Sequence, residues 1–93
     1  MLGTAETSEA AILSRVIRPE RGTWSREAAE SILRFEFPSA DVRRMNSLAA
    51  KSRHGTLSPA EEEELENYRE VGRLLELLQS KARLSLKRFA STN

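Results

Sequence analysis

Few residues in this chain have the chemistry to serve as acids, bases, nucleophiles or metal ligands, and their spacing argues against catalysis. His54 is the single histidine and there is no cysteine. An imidazole here has no second nitrogen or thiolate to build a tetrahedral metal site. It stands instead just before Gly55, at the expected end of a helix, where an imidazole can favour the terminal carbonyls. Glu61, Glu62, Glu63 and Glu64 form a run of carboxylates. That run lacks the alternating oxygen ligands and the turn glycine of a calcium loop. No glycine-rich phosphate loop is present, and no serine sits in a nucleophile motif with a base to pair with. The expectation is a protein with no catalytic residue, no metal site and no cofactor.

Cations are the next candidates. Arg43, Arg44, Lys51 and Arg53 load one helix with positive charge. They are candidate phosphate contacts, although a solvated face or an acidic protein partner would use the same residues. No helix-turn-helix spacing accompanies them, because Pro38 interrupts the preceding connection and a very long helix follows. Charge is segregated along the chain. Residues 1–57 carry nine basic and seven acidic groups, residues 58–76 two and seven, and residues 77–93 four and none. This is not the profile of a strongly basic nucleic-acid-binding domain, so nucleic acid stays open without being favoured.

The element that positions most of these groups runs from Leu57 to Arg88. Ser58 is a good N-cap, Glu61 completes a capping box with it, and Pro59 suits the first helical position. The glutamates lie at the positive end of the helix dipole. Lys81, Arg83, Lys87 and Arg88 lie at the negative end. Tyr68, Val71, Leu74, Leu75, Leu78, Ala82, Leu86 and Phe89 fall on one broad face at 100° per residue, which is the expected core face. Gly72 is a weak point, marking a close helix crossing or simply tolerated. Leu77 and Leu84 lie a heptad apart on another side, flanked by Arg73, Lys81 and Arg88. This second apolar strip reads as a site for self-association or for a protein partner. It also reads as a seat for the N-terminal arm, or as scattered exposed leucines.

The 93-residue length fits one small domain. No apolar run is long enough to span a membrane. The start, MLGTAETSEA, lacks the basic and apolar regions of a secretory signal, which predicts a cytoplasmic protein. Residues Met1 to Ser8 read as a mobile tail. Ile12, Leu13, Val16 and Ile17 suit a short helix capped by Ser8 and ended before Pro19. A helix this short must dock on the body or order on a partner. Ser25 caps a helix from about Arg26 to Phe35, with Ala28, Ala29, Ile32, Leu33 and Phe35 mainly inward and Trp24 as a staple over Ala29. Ser39 is the expected cap of a third helix, with Val42, Met45, Leu48 and Ala49 on its apolar face and Gly55 free to close it. The strings Gly22-Thr23-Trp24-Ser25 and Gly55-Thr56-Leu57-Ser58 repeat one entry to a helix. Without further repeat signature, this is one capping solution used twice.

Three strings carry a resemblance: RVIRPERGTWSREAAESILRFEFP, DVRRMNSLAAKSRHG and GTLSPAEEEELENYREVGRLLELLQSKARLSLKR. The chain from roughly Arg15 to Arg88 resembles a family of small bacterial proteins. Their recurring pattern is an R-V-I-x-P-E-x-G opening, an M-N-x-L-A-A-K step, a G-T-L-[ST]-P-x-E cap and an L-L-Q-S-K-A-R-L-S-L ending. Members look like short partners of HNH-type nucleases encoded beside them, in the manner of a toxin–antitoxin or nuclease–accessory pair. The resemblance implies a binding role and carries over no catalytic motif.

The expected fold is all-α: an arm over residues 1–20, then a helical domain over 21–93 with two medium helices packed on one long C-terminal helix. The expected function is non-enzymatic binding of a protein partner through the arm and the far half of the long helix. Leu77 and Leu84 would be the apolar anchors and Arg73, Lys81 and Arg88 the polar rim. A homodimer of paired long helices and a small nucleic-acid-binding regulator are the alternatives.

Overall fold

The computed structural model describes residues 7–90. Residues 1–6 of the expected tail lie outside the described residues. The fold is all-α, with helices α1 (Glu9–Ile17), α2 (Arg26–Leu33), α3 (Ser39–Arg53) and α4 (Pro59–Ala90), and no strand among the described residues. Contacts divide the chain into two compact units. One joins residues 7–35 with residues 73–90, and the other is Glu36–Gly72. α1 thus groups with α2 and the second half of α4.

Polar residues at the helix starts explain where the helices begin. Ser8 Oγ accepts from the Ala11 amide at 3.1 Å, and Ser25 Oγ accepts from the Ala28 amide at 3.2 Å. Ser58 and Glu61 close a reciprocal box. The Glu61 amide donates to Ser58 Oγ at 3.1 Å, and the Ser58 amide donates to Glu61 Oε1 at 3.0 Å. Each bond satisfies a first-turn donor that has no intrahelical acceptor. The start of α3 differs from expectation. Pro38, not Ser39, holds the cap position, with no side-chain cap bond. Its locked φ of −56° and extended ψ present its carbonyl to the Val42 amide, so Ser39 is already the first helical residue.

The helix ends close in different ways, the first as Gly55 predicts. Gly55, at φ 69°, ends α3 in a Schellman arrangement. Its amide donates to the Ser52 carbonyl, and the Thr56 amide reaches the Lys51 carbonyl. α1 ends on Arg18, the sole non-glycine with positive φ (54°) among the described residues. An L-residue in that region is strained by about 1 kcal/mol. α2 stops at Leu33, because the Gln79 amide of α4 takes the carbonyls of Ile32 and Phe35 at 3.3 and 2.8 Å. Phe35 is therefore outside the helix and 53% exposed, where the sequence reading had it inward.

In the unit formed by α1, α2 and the second half of α4, the interior holds Ala29, Ala82, Ser85 and Lys81. Small residues let backbones meet there. A Cβ on Gly22 would stand 2.7 Å from the Leu84 carbonyl carbon and oxygen and 2.8 Å from the Ser85 nitrogen. Beside that contact Ser85 Oγ donates to the Lys81 carbonyl at 2.8 Å and accepts from the Trp24 amide at 3.1 Å. Trp24 is thus fixed by its backbone against α4. In the unit Glu36–Gly72, Leu48 and Leu65 are the buried apolar residues. Gly72 has no atom within 4 Å of the place a Cβ would take, so no close crossing accounts for it, and α4 continues through it.

The two glycines should respond in opposite senses. Gly22→Ala must displace backbone and is expected to lose roughly 1–3 kcal/mol. Gly72→Ala removes a helix-interior glycine in open space and is expected to gain about 1 kcal/mol. Urea unfolding of the three proteins, followed by circular dichroism, checks both signs.

Candidate functional site

Of the residues expected to form a strip on α4, Lys81 is buried, Leu77 and Leu84 are half-buried, and Arg73 and Arg88 are exposed. Leu77 is half-buried and faces Ala10, Ala11 and Ser14 of α1 across an open crevice of about 330 Å³, with Arg73 and Glu76 at its edge. Leu84 is half-buried, and its backbone lies against Gly22. Lys81 is only 7% exposed. Its ammonium donates to the Ile17 carbonyl at the end of α1 and sits 5.0 Å above the centre of the Trp24 ring. An ammonium at a helix C-terminus and over an indole face is doubly favoured. Lys81 therefore belongs to the interior and not to a polar rim. Arg88 donates to the Trp24 carbonyl at 2.9 Å and lies 4.8 Å over the Phe89 ring. Of the readings of the strip, the arm folded over it is the arrangement present.

The basic face of α3 is partly consumed as well. Arg44 makes a two-pronged contact with Glu64, Nε to Oε2 and Nη2 to Oε1, both at 2.8 Å. Lys51 donates to Glu61, whose side chain is 18% exposed. The Lys51 hydrogen bond, followed by that from the Ser58 backbone, pulls the Glu61 carboxyl down from 4.5 to about 2. The hydrogen bond from Arg44 likewise lowers Glu64, and Glu64 raises Arg44 in return. Two of the four candidate phosphate contacts are thus engaged by carboxylates of α4, whereas Arg43 and Arg53 are exposed. Ion pairs open to solvent in this way add little to stability. Their importance here is that they occupy the cations.

The same unit carries a shallow groove of about 240 Å³ lined by Phe37, Asp41, Glu64, Asn67, Tyr68 and Val71. The Phe37 and Tyr68 rings meet edge to face at 6.1 Å. The Tyr68 hydroxyl donates to Asp41 Oδ1 at 2.7 Å, which holds its pKa above the usual 10.0. Val71 is 49% exposed at this edge, although its helical position placed it on the core face.

The arm is expected to take part in partner binding, and the structure separates its apolar residues onto two sides of α1. Leu13 and Ile17 are half-buried, but Ile12 is 47% and Val16 73% exposed, one turn apart on the outer side. No side chain of α1 is fully buried.

Comparison with protein-family models, curated proteins and solved structures finds no match to this chain. Among the described residues no helix is long and apolar enough to cross a membrane. No group of three His, Asp or Glu among them is placed to hold a metal ion.

The Glu61 ion pair has a pH signature. A carboxyl whose pKa is lower in the fold than the ordinary 4.5 stabilises fully above that value and loses its contribution as pH falls toward about 2. Glu61→Gln should flatten the acid limb of the stability curve across that window while leaving its slope near neutrality unchanged. Thermal melts at a series of pH values check this.

Proposed function

We propose that the protein is a non-enzymatic protein-binding module whose docking face includes the outer side of α1. The observation that carries this reading is the Ile12–Val16 pair, two large aliphatic side chains set one turn apart and left to solvent on a helix tied to the body. Fully burying an aliphatic side chain of this size stabilises a complex by roughly 1.5–3 kcal/mol. A pair at helical spacing is the usual anchor of a helix laid against a partner groove. Leu77 and Leu84 are half-buried and α1 lines the crevice beside Leu77, so the more exposed apolar pair is the one on α1.

The resemblance of the R-V-I, M-N-x-L-A-A-K and L-L-Q-S-K-A-R segments supports a more specific reading. The partner is an HNH-type nuclease encoded beside this chain, bound in the cytoplasm in an antitoxin-like or accessory role. A nucleic-acid-binding role has less support, since Arg44 and Lys51 are engaged by Glu64 and Glu61.

Co-expression with the adjacent nuclease and co-purification tests the proposal. The wild-type chain should elute with the nuclease. Ile12→Asp with Val16→Asp should abolish co-elution with helicity and melting temperature nearly unchanged, because both side chains already face water. A wild-type chain that elutes alone sinks the nuclease reading. A double variant that co-elutes as well as the wild type removes α1 from the interface.

A further inference from the structure

The joint between α1 and the rest of its unit is built differently from everything after it. From Gly22 onward the chain is pinned. Gly22 has no room for a Cβ against the α4 backbone, and the Trp24 amide is held by buried Ser85. Upstream, α1 has no buried side chain and leaves an open crevice between Ala11, Ser14 and Leu77. The two regions are joined by four residues, Arg18 to Arg21, folded by the Arg21 amide donating to the Arg18 carbonyl at 3.0 Å. Arg18 stands in the left-handed region at φ 54°, and Pro19 follows it. A short hinge held in strain beside a weakly buried terminal element is the arrangement that favours exchange of that element between copies.

We propose that α1 is exchangeable. At high concentration two copies of this chain form a dimer in which α1 of each sits on α4 of the other. The seat is specific. Lys81 is a nearly buried ammonium that donates to the Ile17 carbonyl at the end of α1. The α1 of a second copy supplies the same carbonyl, the same small residues against Leu77 and the same helix dipole. Closed and exchanged forms therefore share these contacts and differ at the hinge. Opening the hinge releases the left-handed Arg18, while the lost freedom of two bodies opposes it and makes the exchange depend on concentration. Ile12 and Val16 face outward in both forms, so this inference does not rest on the nuclease reading.

The absence of cysteine in the native sequence permits a direct test. Ala11→Cys and Leu77→Cys are placed in separate full-length chains, one carrying a mass tag. They are mixed at millimolar concentration, then diluted and oxidised. The expected product is the tagged–untagged disulfide heterodimer, with a yield that rises with mixing concentration. Arg18→Gly in both chains removes the strain from the closed hinge and should lower that yield by roughly tenfold. A chain carrying both cysteines, oxidised when dilute, should close on itself and serves as the control for geometry. No heterodimer under conditions where the control closes overturns the exchange. Failure of the control to close overturns the seating of α1 on which the exchange depends. A yield indifferent to Arg18→Gly overturns the role of the hinge.

Discussion

The contact on which the rest of its unit depends is the meeting of two backbones at Gly22 and the Leu84–Ser85 turn of α4. Close packing there requires the absence of a side chain on one strand of the contact and a small hydroxyl on the other. Ser85 meets that need and satisfies its own polarity twice, through the Lys81 carbonyl and the Trp24 amide. Trp24 then lies where its ring supports the Lys81 ammonium, and that ammonium receives the end of α1. One tight approach thus orders, in succession, a loop, an indole, a buried cation and a helix terminus. A buried ammonium without such partners would carry a desolvation cost of several kcal/mol.

The unit Glu36–Gly72 is organised by charge at its surface and by Leu48 and Leu65 within. Glu61 serves two elements at once. It closes the capping box of α4 through Ser58 and pairs with Lys51 of α3. Glu64 one turn later takes Arg44 in a planar, two-bond geometry that lysine could not reproduce. These contacts turn a basic helix face and an acidic helix start into a matched seam. For that reason the charge pattern of the linear sequence overstates what is offered to an external phosphate.

Function on this scaffold is a matter of which apolar surface is left over. Much of the second half of α4 is covered by α1, α2 and the Gly22 loop, and the remaining aliphatic surface of that unit is displaced outward onto α1. α1 is held to the body through the Ile17 carbonyl and half-buried side chains, with no side chain of its own fully buried.

The local rules of helix formation were legible in the residues themselves. Serines at 8, 25 and 58, the Glu61 box and Gly55 each act through atoms within a few residues of one another, so the all-α class and the long last helix followed from sequence alone. The tertiary structure decided what no local pattern encodes. The repeated entries at Gly22 and Gly55 look alike in sequence, yet one glycine is needed for a neighbour more than sixty residues away and the other for its own φ. Helical periodicity measured which residues share a face but not how many faces would be covered. Lys81 therefore reads as surface in the sequence, whereas the Ile17 carbonyl and the Trp24 ring cover it. Burial belongs to the assembled chain, because it depends on which elements meet, and that is set by contacts between residues far apart in sequence.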